Sequence, residues 1–237
     1  MKGVLLAGGR GTRLQEITKG KNKHLLPIQG GAMFLYGLRL LVRSGISDLS
    51  VVVNPNEEVL FRKELMGTEL ENNNIRFVTQ YDPSGIPHGL SLCLGETEQE
   101  PCVLLLGDNF FEDDLSAFIR AWNPRIQPAH IFLKQVPDCS PFGVAYLIEG
   151  RVTSLCEKPQ SRDPGLAVTG CYLLDSSAME RIPLLKPSRR GETEVLDLLN
   201  LYLKEKGLYH QILPGRWADA GTPKGLNSAQ KLCEGSN

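Results

Sequence analysis

The strongest constraint on the fold is an alternation of short apolar runs with amphipathic stretches through the first half of the chain. GVLLA, LSVVV, IRFV and CVLLL are rich in Val, Leu and Ile, which is typical of buried strands. The stretches AMFLYGLRLLVRSG, EEVLFRKELM and GLSLCLGET place apolar residues at helical spacing between them. This order predicts an α/β fold with a largely parallel sheet covered on both faces. Right-handed crossovers then bring the loops after the strands to one sheet edge, where ligands usually bind.

The pattern changes beyond about Ala129. HIFLKQV, FGVAYLI and VTSLCE are strand-like, and Glu149-Gly150 joins the last two as a hairpin turn would. VTGCYLL predicts another strand, and SRRGETEVLDLLNLYLKEKG predicts a long amphipathic helix that ends at Gly207, before LYHQIL. We therefore expect a β-rich subdomain added to the sheet.

Composition limits the partners. The 26 basic and 27 acidic residues leave a net charge of -1, so the chain has no overall field for nucleic acid or a membrane surface. Any attraction for phosphate must therefore be local. The longest apolar runs are too short to span a bilayer, and we expect a cytoplasmic protein. The six cysteines form no CxxC pair and no cluster with histidine, which predicts buried free thiols.

LAGGRGTRL, directly after the first apolar run, concentrates three glycines and two arginines. It lacks the spacing of a Walker loop and of GxGxxG. Gly8, Gly9 and Gly11 can adopt positive φ and expose backbone N–H groups to an anion, while Arg10 or Arg13 adds charge. The alternative is a glycine-rich strand-to-helix turn without a ligand.

Further charged residues follow other predicted strands. Lys23 in NKHLLPI can reach the same edge as the arginines. Asp108 and Asn109 end a buried strand in LLLGDN, where an aspartate is either a turn-former or a ligand for a hard cation. Mg²⁺ is the cation expected beside nucleotide phosphates. The acids of FFEDD, by contrast, predict a solvated helix start rather than a metal site.

Taken together and in order, these motifs resemble the sugar-1-phosphate nucleotidyltransferases, most closely short-form glucose-1-phosphate thymidylyltransferases. The resemblance covers nearly the whole chain through KGVLLAGGRGTRL, NKHLLPI, QYDPSGIPHGL, LLLGDNFFEDDL, FLKQVPDCSPFGV, CEKP, VTGCYLLD, LKPSRRGETEVLDL and RWADAGT. It implies a Rossmann-like three-layer nucleotide-binding sheet with an inserted β-rich sugar-binding portion. It also implies one domain over 1–237, with a nucleotide-binding part at about 1–128, a sugar-phosphate-binding part at about 129–222 and a C-terminal helix at 223–237.

The implied reaction is Mg²⁺-dependent transfer of a nucleotidyl group from dTTP to glucose 1-phosphate, giving dTDP-glucose and pyrophosphate. The resemblance assigns catalysis to Arg13, Lys23, Asp108 and Lys158, and the metal to Asp108 and Asp219. The implied nucleotide-binding residues are Leu6, Ala7, Gly8, Gly9, Gly11, Thr12, Arg13, Gln80, Gly85 and Asp108. The implied substrate-binding residues are Asn109, Gly143, Glu157, Lys158, Thr169, Gly170 and Trp217. The family also commonly forms homo-oligomers.

Several alternatives stay open at this point. Pro87-His88-Gly89 differs from the alanine-glutamine-alanine common in better-known thymidylyltransferases, so UTP, CTP or another sugar 1-phosphate could replace the expected substrates. His88 could contact the base or ribose, or simply begin a helix. Trp217 could pack on the sugar or cover the edge of the core. A regulator that binds nucleotide sugars without turnover is the alternative to an enzyme, although every charged position that the chemistry needs is filled.

Overall fold

A computed structural model of the protein describes residues 1–9, 11–95, 100–188 and 191–234. The strands are β1 (Lys2–Leu6), β2 (Asp48–Val53), β3 (Ile75–Thr79), β4 (Cys102–Leu106), β5 (Asn109–Phe111), β6 (Ala129–Val136), β7 (Gly143–Ile148), β8 (Arg151–Glu157), β9 (Gly165–Leu174), β10 (Leu208–Ile212) and β11 (Trp217–Asp219). The helices are α1 (Gln15–Thr18), α2 (Met33–Arg43), α3 (Glu58–Leu65), α4 (Ile86–Ser91), α5 (Leu115–Ala121), α6 (Ala178–Arg181), α7 (Val195–Lys204) and α8 (Pro223–Glu234).

Nine of these strands form one mixed sheet within the described ranges. Its first half is parallel, in the order β3-β2-β1-β4. Strand β9 then runs antiparallel to both β4 and β6, and β10 pairs parallel with β6. The hairpin of β7 and β8 joins the sheet through β7, which pairs antiparallel with β9. The carboxyl ends of β1 and β4 are adjacent, because Leu6 pairs with Leu106, and this brings the loops that follow them together.

Helices cover both faces of the sheet. On one face, Phe34 and Leu38 of α2, Phe61 of α3 and Ile119 of α5 belong to one buried apolar cluster. On the other face, side chains of α4 and α7 join a second cluster. A third, smaller cluster packs α8 against Phe110 and Ala218 of the ribbon formed by β5 and β11. The predicted α/β fold class with three layers is confirmed.

Most predicted elements appear near their predicted positions, and the expected hairpin turn is confirmed. Glu149 and Gly150 have φ of 49° and 72°, the positive values that a type I′ turn requires. Helix α4 differs from the expectation: it begins at Ile86 because Pro87 suits a first helical turn, and it ends at Ser91. Helix α7 ends at Lys204, and the left-handed residue after it is Lys206 rather than Gly207, whose N–H bonds Tyr202 O.

The six cysteines are free, as predicted. Four of them are buried as expected (Cys93, Cys102, Cys139 and Cys171), whereas Cys156 and Cys233 are only partly buried. Burial raises the pKa of Cys93 and of Cys102 to about 12, so both stay neutral thiols. Across the described ranges, the longest helices fall short of the apolar length needed to cross a membrane.

Candidate active site

The loop after β1 forms a partly buried backbone turn at the carboxyl edge of the sheet. Gly9 and Gly11 have φ of 99° and 55°, conformations that L side chains rarely adopt. The Gly9 N–H donates to Asn54 Oδ1 at 2.8 Å, and a 3-10 turn over Thr12–Leu14 follows and carries Arg13. Arg10 lies outside the described residues. Gly9 and Gly11 therefore adopt the positive φ that the sequence predicts, whereas Gly8 does not.

Lys23 lies directly beneath this loop. Its Nζ is 2.5 Å from Asp108 Oδ2, and its aliphatic stem passes 3.8 Å from the point where a β-carbon on Gly11 would stand. Asp108 is buried and follows β4 after Gly107, whose N–H donates to Leu6 O at 2.9 Å. The carboxyl ends of β1 and β4 thus bring the glycine loop, a lysine and a carboxylate into contact.

A second carboxylate reaches the same point from the far end of the chain. The short antiparallel ribbon of β5 and β11 pairs Asp219 with Asn109, and Ala220 N donates to Asp108 O at 2.8 Å. A β-carbon built on Gly221 would stand 2.8 Å from Asp219 Oδ1 and 3.4 Å from both Asp108 Oδ2 and Arg13 Nη2. Two carboxylates and a guanidinium therefore meet around one position.

The surroundings of Asp108 and Asp219 shift the pKa values of these two carboxylates in opposite directions. Burial alone would raise the pKa of Asp108, but the Lys23 ammonium and the hydrogen bonds from Lys23 and Asn109 act together against it and hold that pKa well below its usual range. Burial and the neighbouring Asp108 charge raise the pKa of Asp219 to about 6. Burial, with the Lys23 charge, lowers the pKa of His24 to about 3, so its imidazole is neutral.

Two adjoining cavities open at this edge. The first has a volume of about 230 Å³ and its lining includes the predicted residues Leu6, Gly8, Gly9, Lys23, Gln80, Gly85 and Asp108. The second has a volume of about 200 Å³ and its lining includes the predicted residues Arg13, Asp108, Asn109, Gly143, Glu157, Lys158, Gly170, Trp217 and Asp219. Each alone is small for a ligand site, but both share Ile86, Leu106 and Asp108 and so form one cleft.

The far wall of the second cavity comes from the hairpin. Gly143 of β7 pairs with Glu157 of β8, and Lys158 follows with φ of 44°. Lys158 Nζ lies 3.3 Å from Glu157 Oε1, and the Lys158 side chain is 44% exposed. A non-glycine residue in a left-handed conformation is strained, and such residues cluster at functional sites. Lys158 thus presents its ammonium group at the mouth of the cavity.

Asn109 links the base of the cleft by hydrogen bonds inside the protein. Its Oδ1 accepts from Gly170 N at 2.9 Å and from Trp217 Nε1 at 2.8 Å, and its Nδ2 donates to Asp108 Oδ1 at 3.1 Å. Trp217 also packs on Phe142, with ring centroids 5.1 Å apart. These bonds fix the orientation of the Trp217 indole, which lines the cavity and also covers the core.

Four predicted residues do not line either cavity: Ala7, Gly11, Thr12 and Thr169. Ala7 is fully buried, and its carbonyl accepts from Asn22 Nδ2. Thr169 is also fully buried and its hydroxyl donates to Phe132 O, so its side chain serves the sheet. Thr12 is exposed at the start of the turn that carries Arg13.

Sequence reasoning missed several residues that hold the site. Asn22 caps the 3-10 turn over Lys23–Leu25 by accepting from His24 N at 2.9 Å, and an asparagine just before a turn is a recognisable capping signal. Phe142, Tyr172 and Glu194 line the second cavity, and Glu192 lines the first. Their positions depend on tertiary packing, for which the local sequence carries no signal.

The donor set at Asp108 and Asp219 fits a hard cation held with a phosphate ligand. The ranges that the structure describes contain no group of three or more His, Cys, Asp or Glu placed to hold a metal by themselves. Mg²⁺ is ordinarily held by one or two carboxylates together with water and substrate phosphates. Asp108 and Asp219 supply two such carboxylates beside Arg13 and Lys23.

The family model for nucleotidyl transferases matches residues 2–235. The chain belongs to this family. Among curated relatives, the glucose-1-phosphate thymidylyltransferase of Xanthomonas campestris pv. campestris (strain B100) is 37% identical over 238 residues, covering 98% of this chain and 80% of the relative. The protein of the same description from Neisseria meningitidis serogroup A is 36% identical over 239 residues, covering 99% of this chain and 83% of that one.

Solved structures agree with the fold of this nucleotidyltransferase. A Bacillus anthracis protein described as a glucose-1-phosphate thymidylyltransferase, in complex with sucrose, has a TM-score of 0.91 and 34% identity, covering 100% of this chain and 96% of that one. A UDP-glucose pyrophosphorylase complexed with UDP-glucose has a TM-score of 0.86 at 21% identity, covering 100% and 99%, and shows the shared fold alone. The resemblance seen in the sequence is confirmed.

Proposed function

We propose that this nucleotidyltransferase transfers the nucleotidyl group of dTTP to glucose 1-phosphate, giving dTDP-glucose and pyrophosphate, with Mg²⁺ as cofactor. The observation that carries the proposal is the continuous cleft in which Asp108 is shared by both cavities. The first cavity would take the nucleotide and the second the sugar phosphate. The two substrates then meet where Arg13, Lys23, Asp108 and Asp219 converge. The relatives named above as glucose-1-phosphate thymidylyltransferases support the same two substrates.

Charge neutralisation and alignment account for the chemistry. The sugar phosphate must approach the α-phosphate of a polyanion in line with the departing pyrophosphate, so no proton-abstracting side chain is needed. Arg13 and Lys23 would neutralise the triphosphate and the charge that develops on the leaving group. Lys158 would hold the phosphate of the sugar at the mouth of the second cavity, while Glu157 accepts from sugar hydroxyls.

Asp108 and Asp219 would hold Mg²⁺, which supplies Lewis-acid polarisation of the phosphates when bound. The lowered pKa of Asp108 keeps this carboxylate ionised across the physiological range. We retain the division into a nucleotide-binding part and a sugar-phosphate-binding part as a proposal, since each cavity is lined mainly by residues of one part. A cytoplasmic location and a homo-oligomeric state also stay predictions.

A hydrogen bond between Gln80 and His88 supports a uracil-type or thymine-type base. Gln80 Nε2 lies 3.0 Å from His88 Nδ1 and 3.5 Å from Gly85 O. An amide nitrogen only donates, so His88 Nδ1 accepts, and Gln80 Oε1, 3.7 Å from the point where a β-carbon on Gly8 would stand, would be the acceptor offered to a base. Thymine and uracil carry a donor at N3, whereas cytosine carries an acceptor there. His88 would therefore act by orienting Gln80.

We expect His88→Ala to reduce the preference for dTTP over dCTP, because the Gln80 amide is then free to turn. One neutral hydrogen bond corresponds to about a 5- to 10-fold change in the ratio of kcat/KM values. His88→Gln restores an acceptor and should keep the wild-type ratio. His210→Ala, on β10 and outside both cavities, is the matched control. An unaltered ratio in His88→Ala removes His88 from base selection.

We expect Lys158→Met to raise the KM for glucose 1-phosphate by about 10- to 100-fold, the range for losing one charge-assisted hydrogen bond. The KM for dTTP should change by less than about twofold, because the ammonium lies on the wall of the second cavity. Lys206→Met is the matched control, since Lys206 is also left-handed, with φ of 58°, but lies after α7. A selective loss of dTTP affinity contradicts the assignment.

The proposed reaction is tested by pyrophosphate release with Mg²⁺ and glucose 1-phosphate against dTTP, UTP, CTP, ATP and GTP in parallel, with the sugar nucleotide identified by mass. A dTTP-led signal supports the proposal. If another nucleotide gives the fastest pyrophosphate release, the reaction class is supported and the proposed base is wrong. Failure of all five nucleotides, when a panel of other sugar phosphates restores the signal, overturns the sugar.

A further inference from the structure

One carboxylate outside both cavities joins the two loops that form the phosphate-binding edge. Glu57 Oε2 accepts from Asn22 Nδ2 at 2.6 Å and from Asn54 Nδ2 at 2.9 Å. Glu57 lies at the N-terminal end of α3, directly after the loop that follows β2. It lines neither cavity, so it does not belong to the set of residues proposed above to touch the substrates.

Each asparagine is bonded in turn to the glycine loop. Asn54 accepts from Gly9 N at 2.8 Å and donates to Gly9 O at 3.2 Å, which closes a paired contact with one peptide unit on each side of Gly9. Asn22 donates to Ala7 O at 2.8 Å. Asparagine side chains therefore hold the chain at both Ala7 and Gly9.

Asn22 also sets the position of Lys23. Its Oδ1 accepts from His24 N and thereby caps the 3-10 turn over Lys23–Leu25. Because Asn22 is buried and bonded to Glu57, the turn that carries Lys23 and the loop that carries Gly9 share one acceptor. A displacement of Glu57 would therefore shift the turn that carries Lys23 relative to the glycine loop.

Electrostatics alone does not explain this carboxylate. A negative charge one asparagine away from a loop suited to anions opposes the binding of a polyanion. The N-terminus of α3 favours an acid at this position, but any exposed acid would satisfy it. The two short hydrogen bonds indicate a geometric role instead.

We propose that Glu57 is a positioning residue that, through Asn22 and Asn54, holds the glycine loop and Lys23 in the register needed for nucleotidyl transfer. Glu57 touches neither substrate and acts through the two asparagines. The inference rests on the proposed function for the identity of the assayed substrates, but the register itself is a property of the chain alone.

The test compares Glu57→Ala, Glu57→Gln and Glu58→Ala in the full-length protein. Glu57→Ala should lower kcat by about tenfold or more, since small misplacement of reacting groups is costly, with a smaller change in the KM for dTTP. Glu57→Gln keeps an acceptor oxygen and removes the charge, so kcat should stay within about threefold of wild type and the KM for dTTP should not rise. Glu58, half-buried beside Glu57 and paired with Arg62 at 2.8 Å, is the matched control and should change neither constant.

Asn22→Ala should reproduce the loss of kcat, and the double variant with Glu57→Ala should lose little more, because both changes remove the same connection. Amide hydrogen exchange in the absence of substrate gives a second readout. Glu57→Ala should speed exchange at residues 11–14 and at residues 22–25 together, while Glu58→Ala leaves both segments unchanged. This readout separates the inference from the proposed function, since it needs no turnover.

Three results would overturn the inference: Glu57→Ala with wild-type kcat, Glu57→Gln as impaired as Glu57→Ala, or unchanged exchange at both segments. A different outcome would separate the two proposals. If the wild type turns over no sugar phosphate but Glu57→Ala still speeds exchange at both segments, the proposed substrates are wrong and the positioning role of Glu57 is supported.

Discussion

Asp108→Asn should abolish Mg²⁺-dependent turnover while leaving the fold intact, with kcat/KM reduced by about 10³-fold or more. Asparagine has the shape of aspartate, so the contact with Asn109 and the packing after β4 can persist. The substitution removes one of the two carboxylates that meet Arg13, and it also removes the charge that pairs with Lys23 at 2.5 Å. The measurement is pyrophosphate release over a series of Mg²⁺ concentrations, with the melting temperature recorded for each variant.

Asp48→Asn is the control, because it also removes the carboxylate that pairs with a buried lysine. Asp48 Oδ2 lies 3.5 Å from Lys2 Nζ, whose side chain is 5% exposed, at the opposite end of the parallel strands. This variant should lose stability but keep turnover, because the pair lies away from the cleft. A folded Asp108→Asn protein with near-normal activity removes Asp108 from the metal and phosphate chemistry.

The parallel half of the sheet could be predicted because its strands are buried on both faces and therefore appear as continuous apolar runs. CVLLL coincides with β4, and the positive φ of Glu149 and Gly150 bears out the hairpin turn that their sequence predicts. Helix α4 begins three residues before the stretch GLSLCLGET, whose apolar spacing predicts a helix, because Pro87 suits a first helical turn.

Some charged side chains of the cleft could also be expected at this edge, since Arg13 follows β1 and Asp108 follows β4, whereas Lys23 lies in a 3-10 turn that follows no strand directly. The hydrogen bonds that hold the residues of the site in place could not be predicted from the sequence. Glu57 and Asn22 are 35 residues apart in sequence, and Asn109 and Trp217 are 108 apart, so only the folded sheet brings them together. Thr169 is a different case: the motif implies a contact with the sugar through its backbone, which stays a prediction, while its buried hydroxyl donates to Phe132 O.

Gly85→Ala should be the most destabilising small substitution that we expect at the cleft. A β-carbon on Gly85 would stand 2.1 Å from Thr193 O, a backbone atom, and Gly85 has φ of 108° and ψ of 174°, a region open essentially to glycine. Overlap and strain together should lower the free energy of unfolding by about 3–5 kcal/mol. For a chain of this length the melting temperature should then fall by roughly 10 °C, which thermal unfolding followed by circular dichroism measures.

The expected damage extends to function because Gly85 lines the first cavity and forms a bridge with Thr193, which lies between Glu192 of the first cavity and Glu194 of the second. Thr193 N and Oγ1 both bond Ser84 O at 2.9 Å, which fixes the loop after Gln80 to the segment that carries Glu192 and Glu194. Pushing these backbones apart moves one wall of each cavity, so the KM values for dTTP and glucose 1-phosphate should rise together. Gly67→Ala is the matched control: its φ is 74° but no atom lies within 4 Å of its β-carbon position, so it should cost about 1 kcal/mol and leave both KM values unchanged. Equal losses of stability in the two variants would show that strain at φ, and not the close approach to Thr193, accounts for the glycine at position 85.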